Sequence, residues 1–79
     1  MARVLLFGRL ADQAGWRDRV VDALDLSGLR GALAAADPRL GEALAAPGVQ
    51  VAVDKAIVRG EAALSPLTEV AFLPPMSGG

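Results

Sequence analysis

Seventy-nine residues, 53% of them apolar, with a formal charge of −1, suit one small domain and exclude several function classes at once. With neither Cys nor His, the chain can form no disulfide and no zinc site of the usual ligands, and it offers no thiolate nucleophile or near-neutral base. Acids and bases are interspersed, and no apolar run approaches the roughly 20 residues that span a bilayer, so neither nucleic acid nor membrane is an expected partner and the chain reads as soluble and cytoplasmic.

Residues 3–9 hold Val4-Leu5-Leu6-Phe7 and predict a first strand. Leu10 to Ala14 predict a helical turn stopped by Gly15. Arg19 to Leu24, around Val20-Val21, predict a second strand, a hairpin partner of the first across a long connection. Ser27 is the expected N-cap of the main helix, because its hydroxyl can accept a bond from a free amide of the first turn. Leu29, Leu33, Ala36 and Leu40 then recur at helical spacing, with Arg30 and Ala34 off the stripe. Asp37-Pro38 interrupts that helix, since proline disfavours the α conformation in the residue before it. The same pair can start a second helical piece, Asp37 as N-cap and Pro38 in the first turn. Leu40 and Leu44 lie one turn apart on it, and Pro47-Gly48 ends it.

Val49, Val51 and Val53 alternate with Gln50, Ala52 and Asp54, the cleanest period-two signal in the chain and a third strand. Asp54-Lys55 predict a turn, and Ala56 to Arg59 a short strand broken by Gly60. Ser65-Pro66 mark a loop. Glu69 to Leu73 form the last strand, stopped by Pro74-Pro75 because neither proline can donate to a ladder. This order predicts an α+β domain over residues 1–73, a mixed sheet with one main helix across one face, followed by a tail over 74–79.

The first and last strands are apolar on both faces and are expected at the centre of the sheet. Val4, Leu6, Leu29, Leu33, Val51, Val70 and Phe72 make the expected core. Leu5, Phe7, Ala71 and Leu73 have the opposite parity, and no further helix remains to cover them. An exposed apolar patch is therefore expected, with Phe7 and Leu73 side by side as partner-binding residues.

A conventional active site is hard to assemble. Ser27, Ser65 and Ser77 have no imidazole to activate them, and Gly28 and Gly31 match no phosphate cradle. Asp12, Asp22, Asp54 and Glu69 show no motif spacing and are expected as solvated carboxylates. Trp16 is expected to pack at a rim. No metal site is expected. The tail differs: Gly78-Gly79 carry no side chains and can thread a channel that would exclude any Cβ. Pro74-Pro75 favour an extended form and are expected to hold the tail away from the sheet.

Pro74-Pro75-Met76-Ser77-Gly78-Gly79, preceded by Glu69-Val70-Ala71-Phe72-Leu73, resembles the end of molybdopterin synthase small subunits. Val4-Leu5-Leu6-Phe7-Gly8-Arg9-Leu10 with Ala14-Gly15 resembles that family's first strand and turn. Leu29-Arg30-Gly31-Ala32-Leu33 resembles its helix, and Val51-Ala52-Val53-Asp54 its third strand. Met76, Asp54 and Pro66-Leu67-Thr68 depart from the family's usual residues, but none touches the Gly-Gly end. The resemblance implies a ubiquitin-like β-grasp fold and a sulfur-carrier role in molybdenum cofactor biosynthesis. An activating enzyme would use ATP to adenylate Gly79, and a sulfur donor would displace AMP to leave a thiocarboxylate. The tail, Pro74 to Gly78, would then thread into the large synthase subunit, in a heterotetramer, and Gly79 would deliver sulfur to a pterin precursor. Ile57 joins Phe7 and Leu73 as a partner contact by the same resemblance. The carrier itself would bind no cofactor and would have no catalytic site of its own. Two other roles use the same end: a sulfur carrier for thiamine thiazole synthesis, and a ubiquitin-like modifier of target lysines. A plain binding module would make no use of it.

Overall fold

The computed structural model describes residues 2–75. Its elements are β1 (Ala2–Leu6), α1 (Arg9–Ala14), β2 (Asp18–Val21), α2 (Leu26–Ala36), α3 (Pro38–Leu44), β3 (Gln50–Val53), β4 (Ala56–Val58) and β5 (Glu69–Leu73). The strands form one sheet in the order β2-β1-β5-β3-β4. β1 and β5 are parallel, and every other neighbouring pair is antiparallel. The first and last strands are thus interior, as their apolar character requires, and the architecture is the expected α+β β-grasp.

Local chemistry explains most boundaries. Gly15 closes α1 in the left-handed conformation, φ 84°, and donates its amide to Ala11 O. Asp37 joins two helices: its amide donates to Leu33 O at the end of α2, and its side chain accepts from Leu40 N at the start of α3. Asp54 and Lys55 both have positive φ, 48° and 72°, the conformation of a tight two-residue hairpin between β3 and β4. Asp54 Oδ1 also accepts from Glu69 N at 2.9 Å, tying that hairpin to the start of β5.

Several boundaries differ from expectation. β1 ends at Leu6, not Arg9, because Gly8 turns the chain with φ 56° and α1 starts at Arg9. β2 ends at Val21, leaving Leu24 80% exposed in a loop. The cap of α2 is Asp25, not Ser27: its carboxylate accepts from Gly28 N at 2.7 Å. Starting there brings Leu26 into the helix, where it is buried. Ala36 is exposed, because the chain breaks at Asp37 before the stripe continues on α3.

All seven expected core residues are at most 3% exposed. They form one cluster with Leu26 of α2, Leu10 of α1, and Leu40 and Leu44 of α3. The helices therefore cover one face of the sheet. Among the described residues, no helix is long and apolar enough to cross a membrane.

Candidate functional site

Period-two geometry turns the remaining strand residues to the opposite face. Register places Leu5 beside Ala71, Ala71 beside Ala52, and Ala52 beside Ile57, a row that crosses four strands. Ala52 and Ala71 are nearly covered by their cross-strand neighbours, and Ile57 at the edge is 48% exposed. One register step toward the C-terminal end of β5, Leu73 pairs with Gln50. Phe7, which follows Leu6 opposite Phe72, falls next to Leu73 and is 42% exposed. The structure thus brings Phe7 and Leu73 to adjacent positions on one face and sets Ile57 on the same face beyond two alanines. A shallow apolar surface results, small side chains at its centre and large ones at its margin. The parity of β1 and β5 made Phe7 and Leu73 visible in the sequence. Ala52 joins them only because β3 lies against β5.

The opposite end of this face is charged. Arg3 makes a two-pronged contact with Asp18, Nε to Oδ1 at 3.1 Å and Nη2 to Oδ2 at 2.6 Å, and lies 3.8 Å from Glu69. Hydrogen bonding to the Arg3 guanidinium lowers the Asp18 pKa, and the same bond raises that of Arg3. Glu61 is also held below the ordinary carboxylate range, by hydrogen bonds from Ser27 and then from the Ala62 amide. Each shift keeps a charge on rather than preparing a proton donor. Asp54 and Glu69 serve the β3–β5 junction and the Arg3 cluster rather than a reacting centre. Trp16 packs half-buried at the rim of the core, with the Arg19 guanidinium 4.4 Å from its ring centre.

Two grooves open on the surface. One, about 720 Å³, lies between the start of α2 and the β3–β4 hairpin, beside Arg30 and Glu61. The other, about 440 Å³, lies beside Pro75 and is flanked by Arg9 and Arg39. The first sets Ser27 beside Glu61, but the lowered pKa of that carboxylate makes it a poor base; the lining of the second holds no nucleophile.

The tail leaves from β5 at the apolar end of the outer face. Pro74 and Pro75 are half-buried. The root of the tail therefore belongs to the surface of the domain, where the sequence led us to expect a stalk clear of the sheet. Met76, Ser77, Gly78 and Gly79 lie outside the described residues.

The fold is similar to that of small archaeal modifier protein 1 from Methanosarcina acetivorans, with a TM-score of 0.88 at 20% identity over 99% of this chain and 95% of that one. It is also similar to the same-named protein of Haloferax volcanii, with a TM-score of 0.84 at 26% identity over 99% of this chain and 98% of that one. No curated protein sequence matches the chain. The model of the ThiS family matches residues 4–79, nearly the whole sequence, and the chain belongs to the ThiS family.

Proposed function

We propose that this protein is a sulfur carrier whose working group is the carboxylate of Gly79, and that it acts as the small subunit of molybdopterin synthase. The observation that carries the reading is the tail motif Pro74-Pro75-Met76-Ser77-Gly78-Gly79, set directly after an interior strand of a ThiS-family domain. A carboxylate is a poor electrophile. An activating enzyme joins it to the α-phosphate of ATP with loss of pyrophosphate, which makes AMP a good leaving group. Sulfide released from a sulfur donor then attacks the acyl carbon, the bond to AMP breaks, and a thiocarboxylate remains. That soft nucleophile enters the large subunit and supplies sulfur to a pterin precursor. The outer face around Phe7, Leu73 and Ile57 docks the partners, and they contribute the cationic and acid–base groups this chain lacks.

A second reading, a modifier joined to target lysines, is favoured by the likeness to the archaeal modifier proteins. It shares the activation step and differs in its product. Purified activating enzyme, ATP and a sulfur source test the carrier reading. One Ala added after Gly79 moves the carboxylate about 3.3–3.6 Å, and a misplacement of about 1 Å can cost on the order of a hundredfold in rate. The extended protein should melt normally and fail to accept sulfur. Wild-type rates from it would defeat the proposal.

A further inference from the structure

The Pro74-Pro75 segment after β5 runs past the ends of both neighbouring strands, and a glycine stands on each side of it. Extending the parallel register, in which Leu6 faces Phe72, sets Gly8 opposite Pro74. Extending the antiparallel register, in which Gln50 faces Leu73, sets Gly48 opposite Pro75. Both glycines have positive φ, 56° and 88°, so the neighbouring chains turn at these positions. Both also sit close to the prolines, so that a side chain on residue 8 would be tight and one on residue 48 would collide. A Cβ on residue 8 would stand 3.1 Å from Pro74 Cγ. A Cβ on residue 48 would stand 2.9 Å from Pro75 Cβ and 3.1 Å from its Cγ. Real Cβ atoms essentially never approach closer than 3.0 Å, so Pro75 would have to move.

Gly15 shows that this closeness is not general to the glycine turns. Its φ is 84°, yet nothing lies within 4 Å of a Cβ built there. The prolines, for their part, have no amide to continue the ladder. With no amide to offer either neighbour, the segment fits closely against the two glycines.

We propose that Gly8 and Gly48 are positioning residues: they seat Pro74 and Pro75 from opposite sides and so set the direction in which the tail leaves the domain. Its consequence for activity rests on the carrier reading above. Displacing either proline re-aims the chain that follows it, while Leu5, Ala71, Ala52 and Ile57 of the docking face lie away from both glycines. A change at the seat therefore acts mainly on turnover.

The experiment compares Gly8→Ala, Gly48→Ala and Gly15→Ala in the full-length chain. All three place a Cβ on a residue of positive φ, but only the first two meet a proline. Folding of each is checked by thermal melting, and assays run at a temperature where all are folded. Two-dimensional NMR follows the cross-peaks between residue 48 and Pro75 and between residue 8 and Pro74. Each should weaken in the matching variant and stay unchanged in Gly15→Ala. With the activating enzyme, kcat for ATP-dependent activation should fall ten- to a hundredfold in Gly8→Ala and Gly48→Ala, with KM for the carrier unchanged. Gly15→Ala should match wild type. Adding Pro75→Gly to Gly48→Ala removes the colliding ring and should recover much of kcat. Cross-peaks of unchanged intensity in both seat variants, or an equal loss of kcat in Gly15→Ala, would overturn the proposal. If the wild-type chain is not activated at all, the carrier reading falls, and the cross-peaks alone decide the seat.

Discussion

Removing the large side chains at the margins of the outer face, Phe7→Ala with Ile57→Ala, should weaken docking of the large synthase subunit. The size of the effect follows from what each residue still exposes, 42% for Phe7 and 48% for Ile57. Burying a whole side chain of this kind contributes about 1.5–3 kcal/mol. The exposed part leaves about 0.6–1.3 kcal/mol for Phe7 and about 0.7–1.4 kcal/mol for Ile57 to be gained on docking. The strand order puts three strand spacings, about 14 Å, between β1 and β4. At that separation the two effects should add. Their sum, about 1.3–2.7 kcal/mol, is a roughly ten- to hundredfold rise in Kd. A residue seated at the centre of the interface would exceed this, because packing and water exclusion raise such contacts above about 2 kcal/mol. The rest of each side chain is already buried in the domain, so the double variant should also lose about 1.7–3.3 kcal/mol of stability and melt at a lower temperature, and Kd is measured where it is still folded. Titration calorimetry with the large subunit gives Kd, and circular dichroism gives the melt. An unchanged Kd in a double variant that is folded at the assay temperature would refute the docking assignment.

The core and the caps give three further tests. Phe72→Ala empties a fully buried position and should cost about 3–5 kcal/mol, much of the roughly 4–12 kcal/mol expected for a domain of this size; a loss under about 1 kcal/mol on urea unfolding would contradict the packing described. Asp25→Ala should cost about 1 kcal/mol, a fall in Tm of about 4–8 °C, while Ser27→Ala should cost less than about 0.5 kcal/mol; the reverse ranking would restore Ser27 as the cap. The folded pKa of Glu61 is lowered, so its contribution is complete above the unfolded pKa, near the ordinary value of 4.5, and is lost as pH falls through the folded value. Glu61→Gln should therefore flatten the acid limb of the stability profile below about pH 4.5, and a parallel acid limb in the variant would count against the Ser27 and Ala62 bonds as its cause.

Where local chemistry decided the outcome, the sequence was readable. The alternation of Val49, Val51 and Val53 and the stop at Pro74-Pro75 gave β3 and β5, and Asp37-Pro38 gave the joint between α2 and α3. Where two residues could do the same job, it was not. Asp25 and Ser27 are both competent caps, and the choice turned on burying Leu26, a tertiary matter. Phe7 prolongs the apolar run of β1 and looks like strand; only the turn at Gly8 ends it. The site divides in the same way. Parity along single strands revealed Phe7 and Leu73 as neighbours on one face. The roles of Gly8 and Gly48 depend on the register of three strands at once, and nothing local to either glycine points to a proline some 27 or 66 residues away.

The most direct test of the carrier function is the intact mass of the protein purified from cells making molybdenum cofactor. The carrier reading predicts a species with one oxygen replaced by sulfur, located to Gly79 by fragmentation and abolished when the activating enzyme is deleted. A chain found only as the free carboxylate, or only joined through Gly79 to lysines of other proteins, would contradict it.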